Sequence, residues 1–330
     1  MQAAVFRNYG PPEVVRIEEV PKPVTKDNAV LVRVRATTVC TADWRIRKAD
    51  PFVTRLVFGL RRPKRLNILG MEFSGVVESA GKAVTQFRAG DEVFGGTGFK
   101  MGAHAEYAAV PESTLAMKPA KMTFEEASAV FFGGDSALYF LRKAKIQPGQ
   151  RVLIYGASGS VGVFAVQLAK HFGAHVTGVC STANLDLVKS LGADQVIDYT
   201  KQDFSKDGPV YDVIFDTVGK SGYSRSLSAL RRGGYYLQCA GPGKGFFSDL
   251  LSSHLGKLRA SLTGAAKVIS GIVRPAPGDQ AFLQELIEAG ELRTVIDKCY
   301  PLEEIAEAHR HAERGHKKGH VVVVMPAAGA

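Results

Sequence analysis

The chain has 330 residues, 45% hydrophobic and 22% charged, with 42 Lys+Arg against 32 Asp+Glu for a net charge of +10. At about 150 residues per domain this length gives two domains, each able to bury a core, and the composition excludes collagen-like, mucin-like and disordered chains. The excess charge is local: residues 1–70 carry 14 basic and 6 acidic side chains, and 8 of the basic ones (Arg45, Arg47, Lys48, Arg55, Arg61, Arg62, Lys64 and Arg65) fall within 45–65 beside Asp50 alone.

From residue 1 to about 125 the pattern is strand-like. Short apolar or alternating runs at 29–35, 74–78 and 91–94 are separated by Pro11-Pro12, Gly81, Gly90 and Gly95-Gly96, so this part is mostly β. At Thr123 the period changes. Thr123 followed by Glu125 and Glu126 predicts an N-cap with acids in the first turn, opening a helical stretch that breaks at Gly133-Gly134. After Pro148-Gly149, strands are predicted at 152–155, 176–180, 195–198, 210–216 and 235–239, with helices at 160–172 and 183–191 closed by Gly173 and Gly192. Strands spaced by helices of this length specify right-handed βαβ units and a parallel sheet covered on both faces. The tail is mixed: a helix over 279–289 with Phe282, Leu283, Leu286 and Ile287 as its apolar stripe, a run at 294–297, a helix over 302–313 and a last strand at 321–325.

Cys40, Cys180, Cys239 and Cys299 lie far apart, with no CxxC and no metal-knuckle spacing. Reduced thiols and a cytoplasmic location follow as the expectation. The first residues carry an early charge and no apolar stretch of signal-peptide length, and no apolar run reaches the roughly 18–20 residues of a spanning helix.

The strongest local signal is Gly156-Ala157-Ser158-Gly159-Ser160-Val161-Gly162, after a strand and before a helix. In that setting glycines let the backbone turn sharply, approach a pyrophosphate and pack the helix on the strand, and the phosphates meet free N–H groups at the positive end of the helix dipole. The spacing is GxxGxxG; its context, with βα units downstream, makes it a dinucleotide site. NAD-selective sites place an acid at the end of the next strand, where it repels a 2′-phosphate. Here that strand ends Cys180-Ser181-Thr182-Ala183-Asn184, and the first acid is Asp186. NADP(H) is therefore the expected cofactor, with Ser181, Thr182 and Asn184 as candidate donors; the alternative is that Ser181 or Thr182 only caps a helix.

Taken together, the chain resembles the medium-chain dehydrogenase/reductase superfamily, in its zinc-independent quinone oxidoreductase-like branch. The resemblance is carried by Gly70-Met71-Glu72-Phe73-Ser74-Gly75, Ala89-Gly90-Asp91-Glu92-Val93-Phe94-Gly95, Gly102-Ala103-His104-Ala105-Glu106-Tyr107, the glycine turn, Leu191-Gly192-Ala193-Asp194, Asp216-Thr217-Val218-Gly219 and Pro301-Leu302-Glu303-Glu304-Ile305. It implies an α/β architecture: a GroES-like β-rich substrate domain of residues 1–125 with 276–330, and an inserted Rossmann domain, a doubly wound parallel sheet, over 126–275, with the active site in the cleft between them. A homodimer is expected.

Zinc members of the superfamily present a Cys, a Gly-His-Glu and a further Cys or acid. Here Cys40 stands near the first position, Met71 replaces the His, and Phe132 falls at the third. One thiol with Met and Phe around it does not make a tetrahedral zinc site. Without a Lewis acid, the substrates that accept hydride readily are quinones and α,β-unsaturated carbonyls, whose charge spreads by conjugation. By resemblance, Ala157, Ser158, Gly159, Ser160 and Val161 cradle the pyrophosphate, and Ser181, Asn184 and Tyr199 lie near the adenosine half. Thr217, Val218, Cys239, Ala240 and Gly241 sit beside the ribose and nicotinamide, with Ser136 near the nicotinamide. Asp43 with Trp44 and Cys40 belongs to the substrate pocket; the alternatives are a turn aspartate bonding its own backbone, a core ring and a packed thiol. Tyr199 is equally readable as a surface tyrosine.

Two other function classes stay open. One is a zinc-type alcohol dehydrogenase. The other is a membrane-surface or RNA-binding protein that keeps the nucleotide fold, using the basic and apolar run 55–66 and the acid-free stretch between Asp249 and Asp279, which carries Leu250, Leu251, Leu255, Lys257, Leu258, Arg259 and Lys267. The 55–66 run also reads as a solvated loop or as a lid attracting an anionic ligand.

Overall fold

The computed structural model describes all residues except 65, 66, 207, 240–265, 275, 277 and 327–330. Ala240, Gly241, Arg65 and most of the acid-free stretch after Asp249 therefore lie outside the described residues; Lys267 falls on a strand.

The chain divides into two units, one of Met1–Phe132, Gln280–Gly290 and Thr294–Ala330, the other of Gly133–Asp279 with Glu291–Arg293. In the first, β1 (Gln2–Phe6) and β2 (Val15–Glu19) form an antiparallel hairpin. β3 (Ala29–Thr38) is followed by α1 (Thr41–Lys48) and the short α2 (Thr54–Phe58). β4 (Glu72–Ala80), β5 (Glu92–Gly96), β6 (Tyr107–Pro111) and β7 (Leu115–Met117) come next, then α3 (Phe124–Ser128). Thr123 caps α3 as predicted, in a reciprocal box with Glu126.

α4 (Phe131–Ala144) leads into the second unit. It corrects one expectation: the helical stretch breaks at Ala129-Val130, and Gly133 and Gly134 lie inside α4. A Cβ on Gly133 would stand 2.5 Å from the Ser160 carbonyl oxygen and 2.8 Å from the Phe164 ring. Glycine here therefore marks close packing of two helices and not a helix end.

The second unit continues with β8 (Arg151–Tyr155), α5 (Ser160–His171), β9 (His175–Cys180), α6 (Leu185–Ser190), β10 (Gln195–Asp198), β11 (Tyr211–Asp216), α7 (Tyr223–Ala229), β12 (Leu230–Gln238) and β13 (Ala266–Ser270). All six strands are parallel, in the order β10-β9-β8-β11-β12-β13, the order of a dinucleotide-binding sheet. Val152, Leu153, Ile154, Val176, Val213, Ile214 and Phe215 are buried, as a sheet with helices on both faces requires.

α8 (Asp279–Glu288), β14 (Ile296–Pro301), α9 (Ile305–Arg314) and β15 (His320–Val324) close the chain. β15 pairs antiparallel with β3 and parallel with β14, completing a seven-stranded sheet ordered β14-β15-β3-β4-β5-β7, with β6 on β3. Its core includes Phe6, Val32, Leu69, Phe73, Val93, Leu302, Ile305 and Val323.

The basic segment is not one loop. Arg45, Arg47 and Lys48 lie on α1, and Arg47 is wholly buried, donating to the Gly10 carbonyl and to Glu313 on α9. A buried guanidinium is tolerated only when paired in this way, so Arg47 leaves the surface patch.

His309, on the buried face of α9, stacks edge-on against His104 with ring centroids 5.6 Å apart, and neither of its ring nitrogens has a hydrogen-bond partner among the described residues. Burial, with His104 and Arg47 adding repulsion, holds it well below the ordinary imidazole value of 6.5. The unfolded chain binds a proton there that the folded chain refuses, so stability falls as pH drops below about 6.5. His309→Phe is expected to raise the melting temperature, more at pH 5 than at pH 8; an equal gain at both would remove His309 from the acid limb.

Candidate active site

Those of the predicted nucleotide residues that are described come together at the carboxyl edge of the parallel sheet. β8 ends at Tyr155 and the chain turns through Gly156, at φ +82°, into Ala157, Ser158 and Gly159, the N-cap of α5, with Ser160 and Val161 in its first turn. Ala157, Ser158 and Val161 are buried, and the amides at the start of a helix have no intrahelical acceptor.

At the end of β9, Asn184 is buried and donates from Nδ2 to Ser158 Oγ at 3.0 Å and to Ser181 Oγ at 3.3 Å, while its Oδ1 has no partner among the described residues. A buried amide oxygen without a donor is costly, and it fits a ribose hydroxyl. Thr182, the other candidate donor, gives its hydroxyl to Asp198 Oδ2 at 2.5 Å. Asp198, at the end of β10, also accepts from the Thr200 amide and hydroxyl at 3.0 and 2.7 Å; the Thr182 hydroxyl first, and then Thr200, hold it below the usual carboxylate range. A carboxylate does stand beside the end of β9, then, delivered by the neighbouring strand. Tyr199 follows it, half-exposed, its amide on the Cys180 carbonyl at 3.1 Å.

At the end of β11, Thr217 Oγ1 donates to the Tyr155 and Gly156 carbonyls at 2.9 and 3.2 Å. Asp216, 1% exposed, accepts from the amides of Val218, Gly219 and Ser221 at 3.0, 2.7 and 2.8 Å. It thereby fixes the loop that carries Thr217 and Val218. The sequence reading missed this role, although an acid at a strand end before Thr-Val-Gly is a visible signal. The Cys239 amide donates to the Asp216 carbonyl at 3.1 Å. Burial pushes the Cys239 thiol up to about 11, with buried Ser136 on α4 hydrogen-bonded to it in opposition.

In the first unit Cys40, Met71 and half-buried Phe132 and Trp44 pack in one apolar cluster. Asp43 is fully buried, and its carboxylate accepts from the Cys40 amide at 2.7 Å and the Gly70 amide at 2.8 Å. It staples the start of α1 to the turn before β4. Glu72 accepts from Thr38 Oγ1 at 2.5 Å and the Phe132 amide at 2.6 Å; burial pushes it up to about 7, against those two hydrogen bonds. Burial also holds the Cys40 thiol well above its ordinary value, with Asp43 adding to the shift. Asp43→Ala strands two buried amides and is expected to cost about 3 kcal/mol in urea unfolding. Unchanged stability with lost turnover would return Asp43 to direct contact with substrate.

A β-rich unit of GroES type and a parallel unit with a glycine turn opening α5 define the class, a two-domain oxidoreductase of dehydrogenase type. Residues 26–120 match the alcohol dehydrogenase GroES-like domain and residues 191–323 the zinc-binding dehydrogenase domain. The chain is 32% identical to the mitochondrial NAD(P)H oxidoreductase RTN4IP1 of Mus musculus, over 98% of this chain and 89% of that protein. It is 30% identical to the chloroplastic NADPH-dependent alkenal/one oxidoreductase of Arabidopsis thaliana, over 98% and 79%. The quinone oxidoreductase structure from Coxiella burnetii superposes with a TM-score of 0.87 at 28% identity, covering 99% of each chain. The chain belongs to the medium-chain dehydrogenase/reductase superfamily, in its quinone oxidoreductase-like branch. No helix among the described residues is long and apolar enough to cross a membrane.

Proposed function

We propose that this protein is an NADPH-dependent oxidoreductase that reduces a quinone or an α,β-unsaturated carbonyl without zinc. The observation that carries the reading is the carboxyl edge of the parallel sheet, where the glycine turn, the Asn184 Oδ1 without a partner among the described residues and the Asp216-braced loop converge. NADPH, when bound, supplies the hydride. Ala157, Ser158, Gly159, Ser160 and Val161 cradle the pyrophosphate, the Ala157 and Gly159 amides being already given to the Val179 and Gly156 carbonyls at 3.0 Å, with Ser181, Asn184 and Tyr199 at the adenosine half, and Thr217, Val218, Cys239, Ala240, Gly241 and Ser136 at the ribose and nicotinamide. In this reading residues 126–275 carry the nucleotide and residues 1–125 with 276–330 the substrate, with Cys40, Asp43 and Trp44 around it.

The donor set where the superfamily binds zinc does not fit the metal. Cys40 is raised away from thiolate, Met71 and Phe132 fill the other places, and all three pack as apolar side chains. A tetrahedral site needs four N, S or O donors, and a thiol must ionise to serve. Chemistry that needs no Lewis acid follows, with the charge delocalised in a conjugated acceptor. The relatives' names, an NAD(P)H oxidoreductase and an alkenal/one oxidoreductase, support both cofactor and substrate class. Four free cysteines support a reducing compartment, the cytoplasm. Among the described residues β13 is an edge of the parallel sheet, which supports a homodimer; sedimentation measures it.

The test is steady-state oxidation of NADPH and NADH across a panel of quinones, enals and enones, with metal analysis of the same sample. Turnover with metal-free protein is expected. No turnover with any of them, together with no NADPH-induced thermal shift, overturns the reading, and stoichiometric zinc overturns its metal-free chemistry.

A further inference from the structure

Helix α2 and its flanks carry a surface that the reaction leaves unused. Phe52, Leu56, Val57 and Leu60 are 67%, 64%, 55% and 61% exposed, four large apolar side chains within nine residues, and α2 has no buried residue. Single apolar side chains are common on surfaces, but a contiguous group marks an interaction site. The backbone beneath them is anchored. Phe58 packs against the core of the first unit, the Tyr9 hydroxyl donates to the Gly59 carbonyl at 2.9 Å, and the Lys64 amide closes on the Phe58 carbonyl at 2.9 Å. The Arg55 guanidinium lies 4.7 Å over the Tyr9 ring and donates to the Leu60 carbonyl at 3.1 Å. The apolar group is thus presented on a fixed frame, so little ordering is left to do on binding. Exposed Arg61, Arg62 and Lys64 follow at once, and there is no acidic residue between Asp50 and Glu72.

We propose that residues 52–64 dock the protein on an anionic phospholipid bilayer, with Phe52, Leu56, Val57 and Leu60 entering the boundary between headgroups and acyl chains and Arg61, Arg62 and Lys64 facing the lipid phosphates. A bilayer uses both halves of the surface: the apolar side chains leave water and the cations meet fixed negative charge. A nucleic acid would use the cations and stack bases on aromatic rings, leaving Leu56, Val57 and Leu60 in water. The functional consequence, which rests on the quinone reading above, is access to quinones dissolved in lipid.

The experiment is co-sedimentation of the full chain with phosphatidylcholine vesicles, with and without phosphatidylglycerol, at low and high salt, with single-stranded RNA in parallel. Binding to the anionic vesicles that weakens with salt is expected. The pair Arg61→Glu/Arg62→Glu is expected to lower partitioning by about tenfold or more, and the triple variant Leu56→Ser/Val57→Ser/Leu60→Ser by about tenfold at either salt. Melting temperature and kcat/KM with a water-soluble quinone are expected to stay unchanged in both. No binding to anionic vesicles at low salt overturns the proposal, as does binding untouched by the triple variant. RNA binding that replaces vesicle binding and is lost only in the arginine variant assigns the surface to nucleic acid and also overturns it. Lost kcat/KM in the triple variant with vesicle binding intact gives the segment to the substrate and overturns it too. Vesicle binding that persists in a protein inactive on every quinone supports the docking surface and sinks the quinone reading.

Discussion

Gly162→Ala is expected to unfold the nucleotide unit and abolish the NADPH-induced thermal shift. A Cβ at this position would lie 2.1 Å from the Gly156 carbonyl oxygen and 2.8 Å from the Ala157 carbonyl carbon and Cα. Every one of those atoms is backbone, and that backbone is the turn between β8 and α5. No side chain can swing aside, so relief requires moving α5 off the sheet. Overpacking a core costs about 1–3 kcal/mol and more where nothing can yield, which makes about 3 kcal/mol a lower bound here. Gly159→Ala is the control: its Cβ meets only the Gly156 oxygen, at 3.4 Å. It is expected to melt close to the native protein while binding NADPH more weakly, because on the proposed reading the added methyl stands where the pyrophosphate approaches. Thermal melting and a fluorescence titration with NADPH measure both. A Gly162→Ala protein with native melting and affinity would show that close packing at this turn is not what glycine provides.

Asp216→Ala is expected to be nearly as damaging, by a different route. Three amides and the Tyr236 hydroxyl, at 3.3 Å, converge on this one carboxylate at a position 1% exposed. Alanine leaves the three amides, that of Ser221 buried and those of Val218 and Gly219 part-buried, without this acceptor, while the Tyr236 hydroxyl keeps Ser221 Oγ at 3.1 Å; at about 1–3 kcal/mol for a buried unpaired donor, a stability loss of about 3 kcal/mol is expected. The loop bearing Thr217 and Val218 would lose its brace, so the affinity for NADPH falls as well. Asp216→Asn keeps one carbonyl oxygen and is expected to lie between the two. Burial and Asp216 together push the Tyr236 phenol above its ordinary range, so the alanine variant should also shift the ultraviolet titration of Tyr236 downward. Native stability and a native Kd in Asp216→Ala would show that the loop holds itself.

The glycine turn and the strands around it were legible because each signal is local. Apolar strand, GxxGxxG and amphipathic helix lie within about 20 residues of each other and need no partner from elsewhere to be recognised. Gly133-Gly134 misled for the converse reason. A glycine pair reads locally as a helix end, while Gly133 is small because α5 passes against it. Thr182 was a fair candidate for a phosphate donor by its place after β9, and its hydroxyl is committed to Asp198, which β10 delivers alongside.

By itself the sequence determined the alternation of strands and helices, the position of the glycine turn and the chemical poverty of Cys40, Met71 and Phe132 as zinc donors, since these depend on residue type and short spacing. Only the tertiary structure decided where the polar side chains are spent. Arg47 reads as one cation of a surface patch until Glu313, 266 residues away, and the Gly10 carbonyl bury and pair it. Asp43 reads as a pocket acid or as a turn aspartate bonding its own backbone, and the fold shows that one of its oxygens goes to the Cys40 amide and the other to the Gly70 amide, 27 residues on. A charge enters an interior only where partners offset its desolvation, and those partners come from distant parts of the chain. The same rule works in reverse for the basic segment: with Arg47 paired off, its exposed side chains among the described residues include Phe52, Leu56, Val57 and Leu60 beside Arg61, Arg62 and Lys64.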